Sequence, residues 1–160
     1  INTLFQNNLR LNLGLTYIDS YIEEKGVKST PYLTESFQGV WRVEKNINRY
    51  GLSLHLTGSI TGPMRLPLLS EIDPRASFSP TFSIINFQLT KKWNNTTEFY
   101  CGAKNILDFT PAKNSIARPN DPFDRDLLDN NPYQLNFDPS YVYASNQGIR
   151  FFFGLRWNLN

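Results

Sequence analysis

Apolar and polar residues alternate along most of the chain, and no stretch keeps the spacing of a helix for long. Alternation of this kind is typical of β-strands that have one apolar and one polar face. Between positions 50 and 60, every even residue is Tyr, Leu, Gly or Ile, and most odd residues are polar. The pattern predicts an all-β fold of about six strands, at residues 9–17, 36–43, 50–60, 85–90, 98–104 and 149–159.

The lengths of the predicted strands favour strands that span a membrane over strands of a soluble sheet. The longest two, at 50–60 and 149–159, have eleven residues each, whereas strands of soluble sheets most often have about 5–6. About 9–11 tilted residues cross a bilayer as a β-strand, and no stretch approaches the roughly 18 apolar residues of a spanning helix.

Long and short connections alternate between the predicted strands. The long ones cover residues 22–30, 62–80 and 108–147, and the short turns lie at 45–49 and 94–95. In an up-and-down meander, the long connections then share one rim and the short turns share the other. Outer-membrane barrels have short periplasmic turns and long extracellular loops. We therefore expect an antiparallel up-and-down transmembrane β-barrel segment whose long loops help to bind substrate.

The tryptophans agree with that orientation. Trp41, Trp93 and Trp157 fall near the ends of strands that run toward the short-turn rim, and all three have the parity of the apolar face. Tyr50 begins a strand at the same rim and on the same face. Aromatic residues at one depth are typical of a membrane-interface girdle. The alternative is that they are core aromatics of a soluble sheet, because soluble barrels share the same alternation.

Composition narrows the possible functions. Sixteen Lys and Arg nearly balance 14 Asp and Glu, which argues against nucleic acid as a partner. The single cysteine, Cys101, rules out an internal disulfide and a cysteine zinc cluster. A mean hydropathy of −0.41 resembles that of a soluble protein. Mean hydropathy does not identify membrane-spanning β-strands, because only every second residue of such a strand is apolar.

The only histidine, His55, lies on the polar face of its strand beside Ser53 and Ser59. A lipase-like Ser–His pair would need a positioned nucleophile and an orienting acid, and the sequence has no motif for either. We therefore expect no enzyme activity, and we interpret His55 as a hydrogen-bonding residue that lines a lumen.

The last long loop is rich in carboxylates, at Asp121, Asp124, Asp126 and Asp129. Such loops can bind calcium, but the spacing is not that of an EF-hand and Arg125 interrupts it. A solvated polar loop is the preferred interpretation, with no metal and no cofactor.

The polar face carries more cations than anions. The cations are Arg10, Arg42, Lys92, Lys104, Arg150 and Arg156, and the anions are Glu44 and Glu98. The surplus either attracts an anionic substrate or pairs with acidic residues of a domain inside the lumen. The substrate-binding candidates on this face and in the outer loops are Arg10, His55, Arg150, Asp121, Asp124 and Arg125.

Three segments carry a family resemblance. Residues 102–108, Gly-Ala-Lys-Asn-Ile-Leu-Asp, resemble the penultimate strand of TonB-dependent outer-membrane receptors. Residues 143–157 resemble the last loop and closing strand of that family, and residues 57–62 resemble a strand that enters an extracellular loop. The likeness is closest to receptors of Bacteroides-like bacteria.

The resemblance implies that residues 1–160 are the C-terminal part of a barrel of 22 strands, without its plug domain and earlier strands. The family lies in the bacterial outer membrane and imports ferric siderophores, haem, cobalamin or glycans. A periplasmic TonB-type partner supplies the energy through the plug. The partners implied are therefore outer-membrane lipid, the rest of the barrel and plug, the TonB-type protein and a small-molecule substrate. The chain departs from the family in lacking an energy-coupling box and in ending at Asn160 where an aromatic residue is usual.

Six strands are too few to close a spanning barrel, because the smallest ones use about eight. We therefore expect the first edge, near residues 7–16, to pair with a strand before Ile1, and the last edge, near 149–159, to pair with the first strand of the whole barrel. On this basis the chain is not a stable monomer alone. The alternative is a small soluble β-barrel module that binds an apolar ligand inside.

Overall fold

The computed structural model describes residues 1–5, 8–68, 76–111 and 142–158. Within these ranges the regular structure is β-strand, apart from one short 3-10 helix at Asn48–Tyr50. The fold is therefore all-β, as the alternation predicts. The strands are β1 Asn2–Phe5, β2 Leu9–Tyr17, β3 Ile22–Glu24, β4 Val27–Ser29, β5 Phe37–Ile47, β6 Leu52–Thr61, β7 Phe82–Lys92, β8 Thr97–Lys104 and β9 Arg150–Trp157.

Seven of these strands form one sheet in the order β1-β2-β5-β6-β7-β8-β9. Every neighbouring pair is antiparallel, which confirms the predicted sheet in sequence order. The strands β3 and β4 form a separate hairpin. In the described part of the chain, β1 and β9 are the two edges of the large sheet.

The register carries side-chain parity across the whole sheet. Leu11 lies opposite Val43, and Val43 lies opposite Leu56. Leu56 lies opposite Phe87, which lies opposite Ala103. Directly opposed residues point to the same face of an antiparallel pair. All predicted apolar positions therefore share one face, and the polar positions share the other.

Strand β1 corrects the predicted count of about six strands and the predicted first edge. Its four residues are too few to show a clear alternation. Ile1 and Leu13 exchange hydrogen bonds of 2.7 and 2.8 Å, and β1 pairs with residues 9–12. The expectation that this edge needs a strand before Ile1 is therefore wrong for residues 9–12. Residues 14–17 of β2 have no strand on that side in the described chain.

The predicted long connection at 22–30 lies between β2 and β5, and it contains the β3–β4 hairpin, which the alternation did not predict. Lys25 and Gly26 form its two-residue turn, with φ of 52° and 79°. Two positive φ values match the right-handed twist of a hairpin. Lys-Gly is a weaker sequence signal for such a turn than Asn-Gly, and for that reason the pattern alone did not predict it.

Two of the long connections form an ordered cluster at one rim. Met64, Leu66 and Ser79 are the most buried residues there, at 5%, 2% and 4% exposure. The Met64 N–H donates to Ser79 Oγ at 3.0 Å, and the Ser79 N–H donates to the Met64 carbonyl at 2.9 Å. The Arg65 guanidinium donates to the Thr30 carbonyl at 3.0 Å, which ties this connection to the one that follows β4.

Asn105 organises the exit from β8. It is 5% exposed and has a φ of 52°. Its N–H donates to Asn86 Oδ1 at 3.0 Å, and its Nδ2 donates to the carbonyls of Phe109 at 2.7 Å and Gln147 at 3.2 Å. Asp108 Oδ1 accepts from the Ile149 N–H at 2.9 Å. These two side chains therefore tie β7, β8 and the entry to β9 together.

We predict that Asn105→Ala lowers the free energy of unfolding by about 2–3 kcal/mol, because the carbonyls of Phe109 and Gln147 and the Phe109 N–H lose a partner, and because Ala tolerates the left-handed backbone poorly. Denaturant titration of the lipid- or detergent-held protein measures the loss. Asn48→Ala is the matched control, since Asn48 is exposed and makes no side-chain cap. Equal losses in the two variants would contradict the organising role of Asn105.

Candidate functional site

The apolar face of the sheet has exposed large side chains on six of its seven strands, whereas on β5 Trp41 and Val43 are half-buried. Phe153, Phe151 and Leu15 are 90%, 83% and 79% exposed. Of the buried hydrophobic residues in the described chain, only Ala103 belongs to the sheet, and Met64 and Leu66 belong to the rim cluster. The sheet thus has no packed layer on this side in the described structure. Other members of the face are Leu13, Trp41, Leu54, Leu56, Ile60, Phe87, Leu89, Phe99, Cys101 and Leu155.

Glycine makes the apolar face flat around Trp41. Trp41 lies opposite Gly58, and a Cβ at Gly58 would lie 2.3 Å from the indole ring. The ring therefore occupies the space above the glycine. This close fit explains why a glycine interrupts the apolar series of β6.

Two of the predicted girdle residues lie together at the short-turn rim. The Trp93 N–H donates to the Thr97 carbonyl at 3.0 Å, and Thr97 lies opposite Trp157. The Trp93 ring packs edge-on against Phe99, with centroids 6.2 Å apart. Tyr50 reaches the same rim, because the Lys91 ammonium donates to its carbonyl. Tyr50 belongs to the 3-10 turn, however, and not to a strand as predicted.

The predicted common level of the tryptophans is wrong for Trp41. Trp41 lies opposite Gly58, and Gly58 lies opposite Ile85, which precedes Trp93 by eight residues. The cause is the length of β5, which continues to Ile47 and not to position 43. Trp41 is therefore a mid-strand residue of the apolar face.

The polar face contains one ion cluster near the short-turn rim. Glu98 accepts from Arg156 at 2.9 Å and lies 3.8 Å from the Lys92 ammonium. The Glu98 side chain is only 16% exposed. Arg156 also lies over the Tyr100 ring, 5.9 Å from its centroid. A half-shielded carboxylate between two cations stabilises the pairing of β7, β8 and β9.

A second cluster surrounds Glu44. The carboxylate accepts from Arg42 at 2.9 Å and from Asn46 at 3.2 Å, and His55 Nδ1 lies 3.9 Å away. His55 therefore has an acidic neighbour. Among the described hydrogen bonds, His55 has none to Ser53 or Ser59, the serines that flank it on this face.

The sequence-predicted binding residues are only partly brought together. Arg10 lies opposite Glu44, and Glu44 lies opposite His55, so these three share one register row. Arg150 lies on β9, opposite Lys104. Asp121, Asp124 and Arg125 lie outside the described residues, as do Asp126 and Asp129.

A pocket of about 210 Å³ opens on the polar face between His55 and Lys104. Sequence reasoning placed His55 and Lys104 on the face but missed the pocket, because its shape depends on cross-strand register. Phe152 closes one side by lying over Gly102, where a Cβ would be 2.6 Å from the ring. The lining side chains are His55, Thr57, Asn86, Gln88, Lys104 and Phe152.

Neither a metal cluster nor a helical membrane span is found in the described ranges. No three His, Cys, Asp or Glu side chains lie close enough together there to hold a metal ion. The helical content of those ranges offers nothing long and apolar enough to cross a membrane. Comparisons with protein-family models, curated proteins and solved structures gave no match. The function must therefore be argued from the two faces of the sheet.

We predict that Glu98→Gln lowers the free energy of unfolding by about 1–2 kcal/mol, because Arg156 and Lys92 lose a shielded anionic partner. Glu24→Gln on the exposed hairpin is the control, with an expected change near zero. Denaturant titration of both variants makes the comparison. An equally small change at Glu98 would show that the cluster contributes nothing to strand pairing.

Proposed function

We propose that the chain is a wall segment of a TonB-dependent outer-membrane receptor, which binds and imports a scarce nutrient. The substrate classes are ferric siderophores, haem, cobalamin and glycans, and a periplasmic TonB-type protein supplies the energy through a plug domain. The observation that carries the proposal is the continuous apolar face, which extends over seven strands with exposed large side chains on six of them, while most charged groups occupy the opposite face.

Such a face needs an apolar medium. A soluble monomer rarely exposes an apolar patch above a few hundred Å², and this face has large side chains on every strand of the sheet. A bilayer covers the face without a second layer of protein. Outer-membrane strands alternate apolar-out and polar-in, as these strands do.

The two rims also support a membrane orientation. The short-turn rim has the 3-10 turn and the Asn94 turn, where Asn94 Oδ1 accepts from the N–H groups of Thr96 at 2.9 Å and Thr97 at 2.7 Å. The opposite rim carries the long connections and their buried cluster around Met64. Loops held on a rigid scaffold commonly carry recognition. The long-loop rim is therefore the substrate-facing side in this proposal.

The sheet edges imply the remaining partners. In hydrocarbon, each unpaired backbone N–H or C=O costs several kcal/mol. The outer edges of β1, of residues 14–17 and of β9 therefore need strands beside them in a bilayer. In the proposed receptor, the rest of the barrel provides those strands, and a plug domain faces the polar side.

The loss of folding free energy when an arginine is introduced on each face tests the proposal. Leu54 and His55 are consecutive residues of β6 that point to opposite faces. We predict that Leu54→Arg costs about 2–4 kcal/mol in a lipid refolding assay and that His55→Arg costs much less. Equal costs at the two positions would contradict a lipid-facing apolar side.

The single cysteine provides an independent test. Cys101 is exposed on the apolar face, between Leu89 and Phe153 of the neighbouring strands. We predict that it reacts slowly with a water-soluble maleimide while the protein is in membranes, and rapidly after unfolding in denaturant. Glu24→Cys in a Cys101→Ser background is the control and reacts rapidly in membranes. Equal rates at the two positions would exclude lipid cover, and recovery of the protein in the soluble fraction would favour the apolar-ligand module.

A further inference from the structure

Lys104 and Arg150 form a like-charge pair on the polar face. They lie directly opposite each other, where β8 ends and β9 begins. Directly opposed residues of an antiparallel pair have Cβ atoms about 4.5–5.5 Å apart, and like charges at that distance destabilise the pairing. Both residues are exposed to solvent, and an anionic group bound between them would relieve this repulsion.

That group is not among the described side chains. Arg42 pairs with Glu44, and Lys92 and Arg156 pair with Glu98. Among the described ion pairs, none includes Lys104 or Arg150. Asp108 is near Arg150 in the fold, but its Oδ1 accepts from the Ile149 N–H and its carboxylate makes no ion pair with Arg150 in the described structure.

The space beside Lys104 is shaped to hold a ligand. Lys104 borders the pocket of about 210 Å³, and its ammonium lies 5.9 Å from the centroid of the Phe152 ring. Thr57, Asn86 and Gln88 supply hydroxyl and amide groups on the pocket wall. Phe152 supplies an apolar side. Hydroxyls, amides and an ammonium together can hydrogen-bond several oxygens of one bound group.

We infer that Lys104, Arg150 and this pocket form a binding site for a small oxyanion, a carboxylate or a phosphate. The anion neutralises the opposed cations, and charge-assisted hydrogen bonds from Lys104 and Arg150 are stronger than bonds between neutral groups. A cationic ligand is excluded at the same place, because it would add to the repulsion. Glu44 lies opposite His55 at the other side of the pocket, but its carboxylate already pairs with Arg42.

The oxyanion has two possible sources with the same chemistry. One is a free molecule, such as an anionic nutrient that crosses the lumen. The other is a carboxylate of the receptor itself, supplied by a segment that faces the polar side. The assignment to a transported molecule rests on the proposed function, whereas the site rests only on the residues around Lys104.

Titration of the protein, purified from whichever cell fraction holds it together with any accompanying polypeptide, tests the site. Citrate and inorganic phosphate serve as probes in low-salt buffer, with calorimetry for affinity and thermal unfolding for stability. The variants are Lys104→Gln and Arg150→Gln. Lys28→Gln on the β3–β4 hairpin is the control, because it removes an equal charge that lies outside the pocket lining and contacts the Tyr21 ring.

A free anion is indicated if the wild type and the control bind a probe and each pocket variant weakens binding at least ~10-fold. A receptor carboxylate is indicated if the wild type binds no probe and both pocket variants unfold at lower temperature than the control. The inference is overturned if pocket variants bind as the wild type does, or if no probe binds and the variants are as stable as the control or more so. Recovery of the protein in the soluble fraction would refute the proposed function, but the titration would still show whether the pocket binds an anion.

Discussion

Side-chain parity, carried across the sheet by hydrogen-bonded register, is the constraint on which the rest of the structure depends. A shift of one residue between any two strands would move every side chain of one strand to the opposite face. The observed register avoids this from β1 to β9, so that Phe5, Leu11, Leu56, Phe87 and Phe153 share one surface. The same constraint confines Glu44 and Glu98 to the other surface, where cations surround them.

The two faces consequently differ in what stabilises them. On the polar side, ion pairs join neighbouring strands, as Glu98 does with Arg156, and the tilted rings of Tyr100 and Phe152 lie 6.4 Å apart between β8 and β9. Aromatic rings lie over glycines on both sides, as Trp41 does over Gly58 and Phe152 over Gly102, and on the apolar side the large side chains of β9 remain exposed. Burial is concentrated in the rim cluster of Met64 and in the Asn105 turn. Backbone hydrogen bonds and the contacts at the long-loop rim therefore stabilise the sheet more than a hydrophobic core does.

Alternation and turn residues are sufficient to predict the strand order, the two faces and the turn at 94–95, because each depends on neighbours within one or two strands, whereas the turn predicted at 45–49 begins only after Ile47. Features that depend on length or register were not predictable in this way. The continuation of β5 to Ile47 moved Trp41 away from the rim, and the four-residue β1 was too short to recognise. His55 and Arg150 were correctly placed on the polar face, but only the register shows that Arg150 opposes Lys104 and that Arg10 opposes Glu44.

The most direct measurement is the accessibility of spin labels along β6 in lipid nanodiscs. Nitroxides are placed one at a time at positions 52–61 in a Cys101→Ser background, and relaxation by lipid-soluble oxygen is compared with relaxation by a water-soluble nickel complex. The account predicts a period of two residues, with oxygen dominant at Leu54 and Leu56 and nickel dominant at His55 and Thr57. Even positions shielded from both reagents, or an accessibility without that period, would contradict a wall with one lipid-facing and one aqueous side.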